Sequence, residues 1–151
     1  MKRSRQTLAA LLLTAVAAPA LAGETAIHVM KTRGCGCCVS WMKHLDANGF
    51  RATGEDMPGG VLVRRKMAAG VPPEMVSCHT ATVEGYVIEG HVPAADIRRL
   101  LSERPEAVGL SVPDMPFGSP GMGPESRREA YDVHLIRHDG STEVFSSYEA
   151  R

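Results

Sequence analysis

Three cysteines fall within four positions, Cys35-Gly36-Cys37-Cys38, and the residues on either side assign them to a strand-to-helix turn. Upstream, Thr25 to Lys31 alternates polar with apolar residues and carries the β-branched Ile27 and Val29, which is the pattern of a strand. Downstream, Trp41, Met42 and Leu45 recur at helical spacing until Asn48-Gly49 supplies a C-terminal stop. Any fold for this chain must therefore place three thiols at one helix N-terminus, with Gly34 and Gly36 letting the backbone turn tightly around them. The helix N-terminus and the nearby Lys31 and Arg33 favour negative charge, and so the thiolate form that binds metal or attacks disulfides.

The rest of the pattern supplies the surroundings of that turn. Phe50 to Glu55 reads as a second strand, Val61 to Ala69 as a short helix ended by Gly70, and Val71-Pro72-Pro73 as a break. Thr80 to Val83 and Tyr86 to Glu89 read as two strands joined at Glu84-Gly85, and Pro93 opens a helix with the core stripe Ile97, Leu100 and Leu101. Strand, helix, strand, helix, strand, strand, helix is the element order of a thioredoxin-like α/β domain. In that arrangement the segment entering the third strand packs against the first strand-to-helix turn, and here that segment is Ser77-Cys78-His79. Enzymes of this fold usually carry a cis-proline at about this place, whereas no proline adjoins Thr80 and the nearest upstream is Pro73. Between Pro113 and Pro124 seven of twelve residues are Pro or Gly, so the region of about 105–130 reads as a Pro/Gly/Met loop. Tyr131 to Arg137 and Thr142 to Tyr148 flank Asp139-Gly140 and form a C-terminal β-hairpin. A length of 151 residues, 44% of them hydrophobic and without an internal repeat, suits a single domain. Its core covers about 23–104, its loop about 105–130 and its hairpin about 131–151.

Residues 1–22 read as a cleaved signal peptide: Lys2, Arg3 and Arg5 form a basic start, Leu8 to Ala18 an apolar stretch, and Ala20-Leu21-Ala22 a cleavage site. The apolar run is interrupted by Thr14 and stopped by Pro19, short of the about twenty residues that a spanning helix needs. The mature chain is therefore expected to begin at Gly23, in the periplasm, with no stable insertion in the membrane. Losing three basic groups and no acidic ones turns the balance of 17 against 17 into a formal charge of −3, which argues against nucleic acid as a partner. An oxidising compartment pairs idle cysteines, so four of them in the exported part call for an explanation.

Three readings of the cysteines are open. The four can form two disulfides, with strain in short loops favouring Cys35 to Cys38 and Cys37 to Cys78. Cys35 and Cys38 alone can form a thiol-disulfide exchange pair. Cys35, Cys37, Cys38 and Cys78, with His79 beside them, can also form a thiolate metal site, for which Cu(I) is the best match and zinc the alternative.

Four segments together resemble the CopG-type periplasmic copper-resistance proteins. They are Cys35-Gly36-Cys37-Cys38, Ser77-Cys78-His79-Thr80, Gly85-Tyr86-Val87-Ile88-Glu89-Gly90-His91-Val92-Pro93 and Met115-Pro116-x-Gly118-Ser119-Pro120-Gly121-Met122. The resemblance covers nearly all of the mature chain. It implies a thioredoxin-like fold holding a cysteine-bridged cluster of copper ions, and a role in copper tolerance through binding and redox conversion of copper. Carried over by position, the four cysteines match the family's cysteines, and His79 and His91 match its histidine-bearing motifs. Met115 and Met122 offer thioethers, which suit Cu(I), although loop methionines also serve as packing. The expected ligand set is thus Cys35, Cys37, Cys38, Cys78, His79, His91, Met115 and Met122. Copper as Cu(I) or Cu(II) is the expected metal, and other periplasmic copper-handling proteins are the expected partners. Met42, Met67 and Met75 are assigned to core or cover and Trp41 to helix packing. His28, His134 and His138 show no usable spacing. The competing function is a periplasmic thiol-disulfide oxidoreductase using Cys35 and Cys38.

Overall fold

Ile27 and Val29, on alternate positions of the first strand, are both fully buried and mark the face on which the main core is built. The computed structural model describes residues 24–151, and the expected signal peptide lies outside the described residues. Strand β1 (Thr25–Lys31) leads into helix α1 (Gly36–Ala47), followed by β2 (Phe50–Asp56) and α2 (Gly59–Ala68). Then come β3 (Thr80–Val83), β4 (Tyr86–Gly90) and α3 (Ala94–Glu103), and finally β5 (Gly109–Val112), β6 (Tyr131–Ile136) and β7 (Thr142–Tyr148). The protein is a single mixed α/β domain around one seven-stranded sheet of order β2-β1-β3-β4-β5-β6-β7. β1 runs parallel to β2 and antiparallel to β3, β3 and β4 are antiparallel, and β4 and β5 are parallel.

Packing follows the stripes of the sequence. Trp41 and Leu45 of α1 and Ile97 and Leu100 of α3 share one core with Ile27, Val29, Ile88 and Leu110. Each such side chain contributes about 1.5–3 kcal/mol by leaving water. Val87 alternates with Ile88 and so faces the other way, where it packs with Val71, Met75 and Ile136. No helix among the described residues is long and apolar enough to cross a membrane.

The element order up to α3 is the one expected for a thioredoxin-like domain, and the hairpin β6–β7 turns at Asp139-Gly140 with Gly140 at φ 84°. The expected loop of about 105–130 is different: it begins with β5, whose four residues are all buried. A strand covered on both faces loses the alternation that marks a strand in sequence, and Gly109 and Ser111 break what little apolar run remains. Helix α2 starts two residues before Val61, because Pro58 takes the N-cap position and its carbonyl accepts the Val61 and Leu62 N–H groups. From Pro113 to Pro124 there is neither helix nor strand, and tight turns fold the segment back on the domain, burying Ser119 completely. The described residues contain no cis peptide bond.

Candidate metal centre

The strand-to-helix turn holds its thiols in three different environments. Cys35 stands at the N-cap of α1, where its N–H reaches the Thr32 carbonyl at 3.3 Å. Cys37 and Cys38 occupy the first helical turn, with Cys38 fully buried and Cys37 half-buried. Cys35 and Cys38 are three apart and face the same side of the turn. They are joined as a disulfide with a Cα separation of 5.4 Å. The second bridge of the two-disulfide reading is absent: Cys37 and Cys78 are free, their sulfurs 3.8 Å apart.

Cys78 arrives from the segment that enters β3, as the element order predicts. Its Sγ lies 3.8 Å from Cys37 Sγ and 3.7 Å from Cys38 Sγ, and Cys37 Sγ lies 3.5 Å from Cys35 Sγ. All four sulfurs fall within 4.8 Å of one another. The same Cys78 Sγ is 3.2 Å from His79 Nδ1 and 3.1 Å from His91 Nε2, a second group of three donors within 4.8 Å. Cys78 is therefore the vertex shared by an all-sulfur group and a sulfur-imidazole group.

Both imidazoles are fully buried. His91 Nδ1 donates to the Pro120 carbonyl at 2.8 Å, which leaves the lone pair on Nε2 directed at Cys78. His79 packs between Trp41, at 4.4 Å between ring centroids, and the edge of His91, at 5.0 Å. Its Nε2 is buried without a hydrogen-bond partner. Burial holds the His79 pKa well below the usual histidine range, and the neighbouring His91 and Lys66 push it the same way. Burial also lowers His91. Both rings are thus neutral near pH 7, the form that ligates metal. The Cys78 thiol is pushed up to about 12, first by burial and then by Cys37 beside it. It therefore keeps its proton near pH 7. Soft sulfurs with neutral imidazoles, partly withdrawn from water, suit a soft metal ion, so the residues present fit copper.

The Pro/Gly loop is seated against this site. Gly121 adopts φ 86°, and a Cβ there would lie 2.7 Å from the Trp41 nitrogen and 2.9 Å from the Cys37 carbonyl oxygen. Only glycine fits that approach. Met122 follows, half-buried. Met115 is exposed and lines a cleft of about 290 Å³ with Val76, Ser77, Cys78 and Asp114. The structure thus brings the cysteines and both histidines together, sets Met115 at a cleft that reaches Cys78, and sets Met122 one residue beyond the contact with α1.

Trp41 is buried as expected, and its Nε1 donates to the Val92 carbonyl at 2.8 Å. Met75 is buried and Met42 packs against the core, but Met67 stands exposed. His28 pairs with Glu55 at 3.0 Å on the surface. Lys66 and Glu89 do not figure in the sequence reading, yet they form a buried ion pair against Ser77. Their signal was present: Lys66 follows Leu62 by four positions on the buried stripe of α2, and Glu89 interrupts the apolar run Tyr86-Val87-Ile88.

A family described as "Protein of unknown function, DUF411" matches residues 75–122, the span carrying Cys78, His79, His91, Met115 and Met122. No curated protein matches the sequence. Among solved structures, "Copper resistance protein copG" in its form 1 shares 45% identity and a TM-score of 0.77, with 84% of this chain and 99% of that chain covered. Its form 2 also shares 45% identity, with a TM-score of 0.76 and coverage of 83% and 98%. With identity at that level along almost the whole of a solved relative, this chain belongs to the family of the copper resistance protein CopG.

Proposed function

We propose that this protein is exported to the periplasm and binds more than one Cu(I) ion through Cys35, Cys37, Cys38, Cys78, His79 and His91. In this reading it contributes to copper resistance by sequestration, transfer or redox conversion of copper. The observation that carries it is the position of the Cys78 sulfur, within 3.8 Å of donors from both groups. A thiolate can bridge two soft ions, and Cu(I) accepts two to four ligands, so a shared sulfur links neighbouring ions. Four thiolates in a partly desolvated pocket repel one another, and several monovalent cations relieve that repulsion better than one. Met115, at the cleft beside Cys78, and Met122 are supplementary thioether ligands in this reading.

Engaging all four sulfurs requires that the Cys35–Cys38 disulfide first be reduced, taking two electrons and two protons from a dithiol reductant, which leaves as its disulfide. Copper then replaces the thiol protons. Replacing Cys78 by Ser tests the reading most selectively, because it removes the shared vertex and leaves the CxCC turn intact. Cu(I) competition assays on the reduced Cys78→Ser protein are expected to show a sharp loss of affinity and of stoichiometry. Full copper binding by that variant would contradict the proposal.

The disulfide at the start of α1 favours a second reading, a thiol-disulfide oxidoreductase using Cys35 and Cys38. A two-thiol mechanism needs only an attacking and a resolving sulfur. Under this reading the Cys37→Ser/Cys78→Ser protein keeps most of its disulfide-reductase activity.

A further inference from the structure

Lys66 and Glu89 form the one ion pair with both partners buried among the described residues, with side-chain exposures of 2% and 0%. Withdrawing two charges from water is a poor source of stability, since an apolar pair of similar size often serves a fold equally well. Glu89 Oε2 is buried and has no hydrogen-bond partner, so the pair is not even fully satisfied. What the pair holds is more informative. Glu89 Oε1 accepts the Ser77 N–H at 2.7 Å, and Lys66 Nζ donates to the Ser77 carbonyl at 3.1 Å. Both polar backbone groups of the residue before Cys78 are thus bonded to the same two side chains, one from α2 and one from β4.

The next residue along β4 closes the grip. Gly90, at φ 71°, lies so close to Ser77 that a Cβ there would stand 2.5 Å from Ser77 Oγ. Its N–H reaches the His79 carbonyl at 3.0 Å, and Ser77 Oγ donates to the Asp114 carbonyl. The segment that delivers Cys78 is therefore fixed on both sides of the cysteine, with the ion pair supplying both backbone bonds at Ser77.

We propose that the buried Lys66–Glu89 pair is the positioning device of the metal centre: it clamps the Ser77 peptide and thereby fixes the Cys78 sulfur against Cys37, without touching metal itself. The inference rests on the copper-binding reading above for its purpose, but its geometry can be tested without metal. Partners of this outer kind commonly alter metal affinity by about 10–100-fold when removed.

The test uses Lys66→Met/Glu89→Leu, which removes both charges together and leaves neither buried alone. In a Cys35→Ser/Cys38→Ser background, the remaining Cys37 and Cys78 are equilibrated with a glutathione redox buffer, giving the effective concentration of one thiol at the other. The clamp predicts a fall of about tenfold or more in this value, because small misplacements of reacting groups have large effects. The same pair of substitutions in a Cys37→Ser/Cys78→Ser background reports on Cys35 and Cys38, which share one turn, and a change below about twofold is expected there. In the four-cysteine chain, Cu(I) affinity is expected to fall by about 10–100-fold. An unchanged Cys37–Cys78 value, or equal falls in both thiol pairs, overturns the clamp. If the native chain binds no Cu(I), the proposed function fails while the thiol comparison still decides the clamp. Should the double variant not fold, Lys66→Met/Glu89→Gln takes its place, a neutral pair that keeps an acceptor for the Ser77 N–H. It must still lower the Cys37–Cys78 value and spare the Cys35–Cys38 value, and no difference between the two overturns the proposal.

Discussion

Protonating His79 or His91 means placing a charge in a pocket that has already displaced water, and the consequence is a stability that depends on pH. Both histidines titrate below the ordinary value of 6.5 in the folded protein. His44, lowered by burial and by Arg98, adds in the same sense. Between their folded values and 6.5 the unfolded chain binds more protons than the native one, so stability is fully present above pH 6.5 and is lost as pH falls toward the folded values. Each imidazole adds up to about 1.4 kcal/mol per pH unit across that window. For the metal-free protein, urea midpoints are expected to drop between pH 7 and pH 5.5, and His79→Gln is expected to flatten the slope. Equal midpoints across that range would contradict the burial of neutral rings. The cysteines, with His79 beside Cys78, were legible in the sequence because they are rare and densely spaced, whereas His91, twelve residues beyond His79, was singled out only through the resemblance to the CopG-type proteins. Lys66 and Glu89 were not, because a charged residue in a helix or strand ordinarily faces water, and only the packing of α2 on the sheet turns these two inward.

The strand-to-helix turn could be placed from the sequence because hydrophobic period and turn residues agreed there, and the β3 entry segment because the element order of a thioredoxin-like domain sets it against that turn. β5 could not, since its pairing with β4 depends on contacts far apart in the chain. The Pro/Gly segment was recognised as a loop, but its seat against α1 had no periodic signal and rests on a single close approach at Gly121. Gly121→Val is therefore expected to lift the loop from the first turn of α1, through both its left-handed backbone and the clash with the Cys37 and Trp41 backbone. The cost is about 1–3 kcal/mol in denaturant unfolding. It should also release the His91 Nδ1 bond to Pro120, and with it the orientation of Nε2 toward Cys78. A wild-type Cu(I) affinity together with wild-type stability in this variant would show that the loop does not support the site.

At the scale of the whole molecule, one seven-stranded sheet carries the site at the junction of β1, α1, the β3 entry and the turn after β4, with the C-terminal strands extending the sheet on the far side of β4. Three separate stretches of chain, the β1–α1 turn, the β3 entry and the turn after β4, must therefore be folded before the donors meet, so the proposed copper binding reports on the intact domain and not on the CxCC peptide alone. The proposed export adds a prediction about the chain as produced in cells: N-terminal sequencing of the mature protein should begin at Gly23, and a product retaining Leu8 to Ala18 would contradict it. In the proposed site Cys78 joins two donor groups into one multinuclear Cu(I) centre. Its most direct test is an anaerobic Cu(I) titration of the reduced protein against a competing chelator, followed by mass spectrometry under native conditions. More than one copper per chain is expected at saturation, loaded cooperatively; a plateau at one copper, or a preference for a single zinc over Cu(I), would rule out the multinuclear site.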